Sequence, residues 1–128
     1  MSDKSQQIIL IDDDKSIVLT FSIALKCEGY MIESYTSGVE GLERIRKGGF
    51  DLLIVDYRMP DLFGIDLIEQ FRRENQEIPI LLMSASEQPV SQSDVVRFQP
   101  FEFEPKPVLP SRLRALVSGM LKRANPST

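Results

Sequence analysis

The chain contains no histidine and no tryptophan, and Cys27 is its only cysteine. Without histidine, a Ser-His-Asp triad, a Cys-His pair, an imidazole general base and a His-ligated metal are all excluded. A single cysteine excludes an internal disulfide and a zinc site built from several thiolates, and it indicates a reducing compartment. The chemistry that remains uses carboxylates, hydroxyls and amines.

The chain also lacks long apolar runs. No stretch approaches the roughly 20 apolar residues of a membrane helix, and the polar start Met1-Ser2-Asp3 does not resemble a secretory signal. We therefore expect a soluble domain in the cytoplasm, with no membrane contact. Its 128 residues, 42% of them hydrophobic, fit one compact domain. We expect that domain to cover residues 6–123, with flexible tails at 1–5 and 124–128.

Short apolar runs alternate along the chain with longer segments of helical periodicity. This alternation is typical of βα units around a parallel sheet. Five units are predicted, which gives an α/β fold of the doubly wound, flavodoxin-like (βα)5 type with strand order 2-1-3-4-5. The predicted strands are residues 7–11, 30–35, 51–56, 80–83 and 101–104.

Local signals mark where three of the helices begin. Asp14 is suited to cap the first helix, and Ser37 with Glu40 forms a Ser-x-x-Glu capping box before the second. Pro110 suits the first turn of the last helix. Residues 87–100 are polar and offer few side chains for burial, so the fourth helix is expected to be short or loose.

The last predicted helix is basic, although the whole chain has a formal net charge of -4. No acid follows Pro107, and the cations there are Arg112, Arg114, Lys122 and Arg123. Four such charges on one helix are more typical of a solvated face than of nucleic-acid contact. We expect no direct nucleic-acid binding.

Acidic residues stand where hydrophobic runs stop. Asp12 and Asp13 follow the first predicted strand, and Asp56 ends the third. In the predicted strand order these strands are neighbours at the point where the winding reverses, and ligands bind beyond the carboxyl ends of such strands. Oxygen ligands without histidine or cysteine favour Mg²⁺. The pattern therefore predicts a metal-assisted phosphoryl site.

Two further side chains complete this prediction. An aspartate can accept a phosphoryl group while an ammonium and a metal neutralise the charge on the transferring oxygens. Lys106, near the end of the fifth strand, supplies the ammonium, and the hydroxyl of Ser84 can donate to a phosphoryl oxygen. Each of these features also has an ordinary structural explanation when it is taken alone. The aspartates after the first strand can be a helix start favoured by the helix dipole, and Asp56 can be a loop aspartate. Ser84 can be a strand-end hydroxyl, and Lys106 a surface lysine. Their combination at four strand ends indicates function.

From about Gln6 to Arg123 the chain resembles the receiver domain of bacterial two-component response regulators. The resemblance rests on four blocks, which are Ile9-Leu10-Ile11-Asp12-Asp13-Asp14, Asp51-Leu52-Leu53-Ile54-Val55-Asp56-Tyr57-Arg58-Met59-Pro60 with Gly64 after it, Ser84-Ala85, and Lys106-Pro107. It implies a phosphorylation-controlled switch in two-component signal transduction. Because this chain has no histidine, the phosphodonor is another molecule: a sensor histidine kinase, a histidine phosphotransfer protein or a small acyl phosphate.

The resemblance also implies the metal ligands. Asp56 is then the phosphoacceptor, and Asp13, Asp56 and the backbone carbonyl of Arg58 bind Mg²⁺. Asp12 belongs to the same metal site and acts mainly through water. The domain catalyses only its own phosphorylation and dephosphorylation and is otherwise a signalling domain, not an enzyme.

The remaining implied roles concern the fourth and fifth strands. Ser84 and Lys106 contact the phosphoryl group, and the peptide bond between Lys106 and Pro107 is cis. Ser84 and Phe103 form the switch, although phenylalanine lacks the hydroxyl that tyrosine would offer at that position.

Two departures from the family pattern stand out. Arg97-Phe98-Gln99-Pro100-Phe101 replaces the usual small-residue turn after the fourth helix, which puts the common dimer face in doubt and leaves a homodimer open. Pro105, directly before the lysine, restricts how the fifth strand can move.

Two other functions remain as alternatives. One is an interaction module that keeps the pocket but works without phosphorylation. The other is a metal-dependent phosphatase with an aspartate nucleophile, which commonly needs a second acid two residues later, where this chain has Arg58. The sequence leaves open the cognate kinase, the output domain or effector, and whether the chain is part of a longer regulator.

Overall fold

The protein is described from a computed structural model that covers residues 5–85 and 90–125. Within these residues, five strands alternate with five helices. The strands are β1 (Gln7–Ile11), β2 (Met31–Tyr35), β3 (Leu52–Asp56), β4 (Ile80–Ser84) and β5 (Phe101–Pro105). The helices are α1 (Lys15–Lys26), α2 (Gly38–Ile45), α3 (Gly64–Glu74), α4 (Gln92–Arg97) and α5 (Pro110–Ala124).

The five strands form one parallel sheet in the order β2-β1-β3-β4-β5. The predicted fold class and strand order are therefore confirmed. The three central strands are buried on both faces, which explains why they read as continuous apolar runs. One core cluster packs the sheet against α2 and α3, and a second packs it against α1 and α5.

The strand boundaries differ from the predicted ones by one residue in four places. β2 and β3 begin one residue later than predicted, and β4 and β5 end one residue later, at Ser84 and Pro105. A proline is tolerated in β5 because this strand lies at the edge of the sheet.

The predicted helix starts are confirmed. The carboxylate of Asp14 accepts hydrogen bonds from the backbone N–H groups of Ser16 and Ile17, which are in the first turn of α1. The hydroxyl of Ser37 accepts one from the N–H of Glu40, at 3.2 Å. These bonds satisfy N–H groups that have no partner inside the helix.

Helix α4 has six residues, and none of them is buried. The prediction of a short fourth helix is confirmed, and Val96 within it is 70% exposed. Phe98, just after the helix, is buried instead, with its ring edge-on to Phe101 at 5.8 Å.

Several sequence predictions fall on residues that the structure does not describe. Residues 86–89 lie outside the described part of the chain, and they include the start of the polar segment 87–100. Residues 1–4 and 126–128 of the predicted tails lie outside it as well. In the part of the chain that is described, no helix has the length and apolarity needed to cross a membrane.

The basic helix α5 pairs with acids of its own domain. Arg112 donates two hydrogen bonds to the carboxylate of Glu104, at 2.9 and 3.2 Å, and Arg123 donates to Glu102. Both acids belong to the edge strand β5. These contacts support the interpretation of the basic helix as a solvated, ion-paired face, and the absence of nucleic-acid binding stays a prediction.

A buried arginine connects α3 to the segment before β5. The guanidinium of Arg72 donates to the carbonyl oxygens of Phe98 at 2.8 Å, Pro100 at 2.7 Å and Asn75 at 3.2 Å. Burial lowers the pKa of Arg72 to about 10, so that the side chain remains charged at neutral pH. Carbonyl dipoles thus satisfy a cation that the core has removed from water.

We expect Arg72→Met to lower the free energy of unfolding by about 2 kcal/mol, because the carbonyl groups of Phe98 and Asn75 lose the donor that Arg72 supplies and the carbonyl of Pro100 keeps only the N–H of Ile80. Urea denaturation at neutral pH measures this loss. Arg73→Met is the matched control, since the side chain of Arg73 is 72% exposed. Equal effects of the two substitutions would show that the buried hydrogen bonds contribute nothing specific.

Candidate functional site

Three carboxylates meet at the carboxyl edge of the sheet. Asp12 follows β1 directly and Asp56 is the last residue of β3, and these strands are paired neighbours. Asp12, Asp13 and Asp56 each offer one oxygen atom, and these atoms lie within 4.8 Å of one another. Asp12 and Asp56 are buried, whereas Asp13 is exposed. The structure therefore brings together the three acids that the strand pattern placed there.

The Asp12 carboxylate has one oxygen without a hydrogen-bond partner. Its Oδ1 accepts a hydrogen bond from the N–H of Asp14 at 2.9 Å, but Oδ2 is buried and accepts no hydrogen bond. Burial raises the pKa of Asp12 to about 6, against the lowering effect of the Asp14 hydrogen bond. An unsatisfied buried oxygen beside two other carboxylates fits a hard divalent cation such as Mg²⁺.

Lys106 brings an ammonium into the acidic cluster. Its Nζ lies 2.7 Å from Oδ1 of Asp56 and 3.7 Å from Oδ2 of Asp12. The backbone N–H of Lys106 donates to the carbonyl of Ser84 at 2.7 Å, which ties the residue after β5 to the end of β4. The peptide bond between Lys106 and Pro107 is cis, as predicted, and so is the bond between Gln99 and Pro100.

The charged groups in the pocket, together with burial, shift the pKa values of Asp56 and Lys106. Burial raises the pKa of Asp56, and the hydrogen bond from Lys106 counteracts part of that rise. Burial by itself lowers the pKa of Lys106, but its hydrogen bond to Asp56 and the nearby carboxylates outweigh this and raise it overall. The ammonium is therefore charged at neutral pH and is held against Asp56.

The other predicted site residues surround this cluster at different depths. Ser84 ends β4 and is buried, and Arg58 is exposed in the loop after β3. Arg58 and Asp13 line an open depression of about 580 Å³. Phe103, in the middle of β5, is 40% exposed and lies opposite Leu82 in the strand register.

Gly64 has a structural role in the site, whereas in the sequence it stands out only as part of a motif. Its N–H donates to the carbonyl of Tyr57 at 2.7 Å, which closes the loop after β3. A Cβ atom at this position would lie 2.2 Å from the backbone oxygen of Asp56. Glycine therefore lets α3 begin directly against the end of β3.

We expect Asp12→Asn to raise the free energy of unfolding by about 2 kcal/mol in the absence of divalent cations, because it removes a buried charge that has one oxygen without a hydrogen bond. Denaturation in the presence of a chelator measures this change. The stabilisation that Mg²⁺ gives the wild type should shrink in the variant, since binding to the native state alone adds stability. A variant less stable than the wild type without metal would contradict this account.

Comparison with known proteins identifies the family and the fold. The family model described as "Response regulator receiver domain" matches residues 8–118. The chain belongs to the response regulator receiver domain family. In this family, phosphorylation on aspartate within two-component signalling is the general function, and an acidic pocket generally binds Mg²⁺. The resemblance and the functional class inferred from the sequence are therefore confirmed.

Curated relatives of this receiver domain are longer than the chain. "Response regulator MprA" from Mycobacterium leprae (strain TN) is 28% identical over 120 residues, which are 94% of this chain and 53% of the relative. "Transcriptional regulatory protein GlrR" from Escherichia coli (strain K12) is 27% identical over 128 residues, 100% of this chain and 29% of the relative. The receiver domain thus spans about half, or less, of the relatives it matches.

Solved structures share the fold of this receiver domain. A CheY-like response regulator receiver domain protein from Methanospirillum hungatei JF-1 has a TM-score of 0.83 at 24% identity, covering 98% of this chain and all (100%) of that one. A putative response regulator from Chloroflexus aurantiacus J-10-fl has a TM-score of 0.81 at 26% identity, covering 94% and 100%.

Proposed function

We propose that this receiver domain accepts a phosphoryl group on Asp56 with the help of Mg²⁺ and that the resulting charge switches its conformation. The observation that carries the proposal is the contact of 2.7 Å between Lys106 Nζ and Asp56 Oδ1 inside a cluster of three carboxylates. An isolated structural ion pair would not need two further acids beside it, one of which has a buried oxygen without a hydrogen bond.

The proposed metal ligands are the carboxylates of Asp13 and Asp56 and the backbone carbonyl of Arg58, with Asp12 acting mainly through water. Three direct oxygen ligands, a fourth carboxylate acting through water, and no nitrogen or sulfur match the preference of Mg²⁺. When bound, Mg²⁺ neutralises negative charge on the oxygens of the phosphoryl group.

In the proposed transfer, a carboxylate oxygen of Asp56 attacks phosphorus and forms a new P–O bond. The P–N bond of a phosphohistidine on the donor breaks, and the imidazole leaves with the electron pair and regains a proton from solvent. Lys106 and Ser84 contact the phosphoryl oxygens, Lys106 as a charge and Ser84 as a hydrogen-bond donor. Water later attacks the phosphorus, the P–O bond to Asp56 breaks, and inorganic phosphate leaves, which restores the carboxylate. In this proposal the domain catalyses only its own phosphorylation and dephosphorylation.

The switch is proposed to act through β4 and β5. Phosphorylation adds roughly -1.5 to -2 units of charge beside Asp56, which draws Ser84 and Lys106 towards the phosphoryl group. The N–H of Lys106 already bonds the carbonyl of Ser84, so movement of either residue is passed to the other strand. Phe103, exposed on β5, is proposed to move towards the core in response.

The partners follow from the same proposal. The chain has no histidine, so its phosphodonor is another molecule, proposed to be a sensor histidine kinase or a histidine phosphotransfer protein. An output domain or separate effector receives the signal, the proposed location is the cytoplasm, and a homodimer of the phosphorylated form is one route for that signal. The proposed domain limits remain residues 6–123.

Incubation with a small acyl phosphate tests the function directly. We expect intact-protein mass spectrometry to show one added phosphoryl group with Mg²⁺ and none after chelation. No mass gain under either condition would favour an interaction module that works without phosphorylation. Rapid multiple turnover of phosphate esters would instead favour a phosphatase.

A further inference from the structure

Asp61 ties the loop between β3 and α3 to the start of α2. Its carboxylate accepts hydrogen bonds from the hydroxyl of Ser37 at 2.8 Å and from the N–H groups of Gly38 and Val39, both at 3.1 Å. These bonds, led by that from Val39, lower the pKa of Asp61. The ionised carboxylate thus meets the positive end of the α2 dipole from outside the helix.

The same loop packs closely on α2. A Cβ atom on Gly38 would lie 3.0 Å from Cβ of Leu62 and 3.3 Å from Cε of Met59. Met59 is also buried in the core cluster that contains α2 and α3. The absence of a side chain at Gly38 therefore allows the loop to lie directly against the first turn of α2.

The loop has three fixed points. The N–H of Tyr57 donates to the carbonyl of Met83 at 2.8 Å, and the N–H of Gly64 donates to the carbonyl of Tyr57 at 2.7 Å. These bonds hold the two ends of the loop, and Asp61 holds the part between them. Arg58 lies between the anchors at Tyr57 and Asp61, so its backbone position depends on both.

We propose that Asp61 is a positioning residue for the Mg²⁺ site, holding the loop so that the carbonyl of Arg58 stays beside Asp13 and Asp56. This inference rests on the proposed function, in which that carbonyl is a metal ligand. Residues that support metal ligands from outside typically contribute 10-fold to 100-fold in metal affinity. Asp61 acts through the intervening backbone, so an effect near about 10-fold is expected.

Two variants separate positioning from simple helix capping. Asp61→Ala removes the three hydrogen bonds that its carboxylate accepts from Ser37, Gly38 and Val39. Ser37→Ala removes one of them together with the cap on the N–H of Glu40, but it leaves the N–H groups of Gly38 and Val39 on the Asp61 carboxylate. Both variants weaken the start of α2, and only the first releases the loop.

Isothermal titration of the full chain with MgCl₂ tests the proposal, together with thermal melting in chelator. We expect Asp61→Ala to raise the Kd for Mg²⁺ by about 10-fold, while Ser37→Ala lowers the melting temperature but leaves that Kd unchanged. Asp61→Asn keeps one acceptor oxygen, so its Kd for Mg²⁺ should lie between those of the wild type and Asp61→Ala. If the alanine variant does not fold, Asp61→Asn replaces it in the comparison with Ser37→Ala.

The outcomes distinguish a failure of the proposed function from a failure of the positioning role of Asp61. If the wild type does not bind Mg²⁺, the proposed function fails and the role of Asp61 fails with it. If the wild type binds Mg²⁺ and Asp61→Ala binds it as tightly as Ser37→Ala does, only the positioning role is overturned.

Discussion

Asp56→Asn is expected to abolish phosphoryl acceptance while preserving the fold. The amide has the shape of the carboxylate but is a very poor nucleophile, so no P–O bond forms at residue 56. Its carbonyl oxygen still accepts a hydrogen bond from Lys106, and burial already disfavours the charged form of residue 56, so we expect the neutral amide to be tolerated. The measurement is the mass of the intact protein after incubation with a small acyl phosphate and MgCl₂.

Asp66→Asn is the matched control for this experiment. Asp66 is an exposed acid in the first turn of α3, away from the three converging carboxylates. The control should gain the same mass as the wild type, at the same rate. Undiminished phosphorylation of Asp56→Asn would remove the proposed mechanism, because no other residue is assigned the acceptor role.

Gly64→Ala is expected to lower the free energy of unfolding by about 3 kcal/mol or more, since the new Cβ overlaps backbone and not a movable side chain. Its position, 2.2 Å from the carbonyl oxygen of Asp56, forces α3 and the end of β3 apart. Phosphoryl acceptance should fall as well, because the displaced backbone is that of the proposed phosphoacceptor.

Gly119→Ala tests whether this effect is specific. A Cβ at Gly119, in α5, would meet only the flexible end of Arg123, at 3.3 Å. Replacing a glycine inside a helix by alanine then stabilises by up to about 1 kcal/mol. Urea denaturation of both variants measures the contrast, and a Gly64→Ala variant as stable as the wild type would show that the close approach is not required.

The fold was predictable because its three central strands are short apolar runs that the core buries on both faces. Asp12 and Asp56 were predictable as neighbours for the same reason, since each follows or ends a central strand and the strand order makes these strands adjacent. Lys106 was placed by the end of β5. The assignment of the individual roles came from the family resemblance and stays a prediction.

Other features depended on tertiary contacts that have no simple pattern in the sequence. Arg72 and Arg73 look equivalent, yet only Arg72 is buried, and two of its three carbonyl partners lie 26 and 28 residues away along the chain. The spacing from Ile68 and Phe71 placed Arg72 on the buried side of α3, and this signal was available. Asp61 gave no such signal, because it lies in a loop and its partners are at the start of α2, more than 20 residues earlier in the chain.

The most direct test of the central claim is to locate the phosphoryl group chemically. Borohydride reduction converts a phosphorylated aspartate to homoserine, which peptide mass spectrometry then assigns to one position. After treatment with acyl phosphate and MgCl₂, the account predicts homoserine at residue 56 and at no other aspartate. Reduction at Asp12 or Asp13, or an acid-stable phosphate on Ser84, would contradict it.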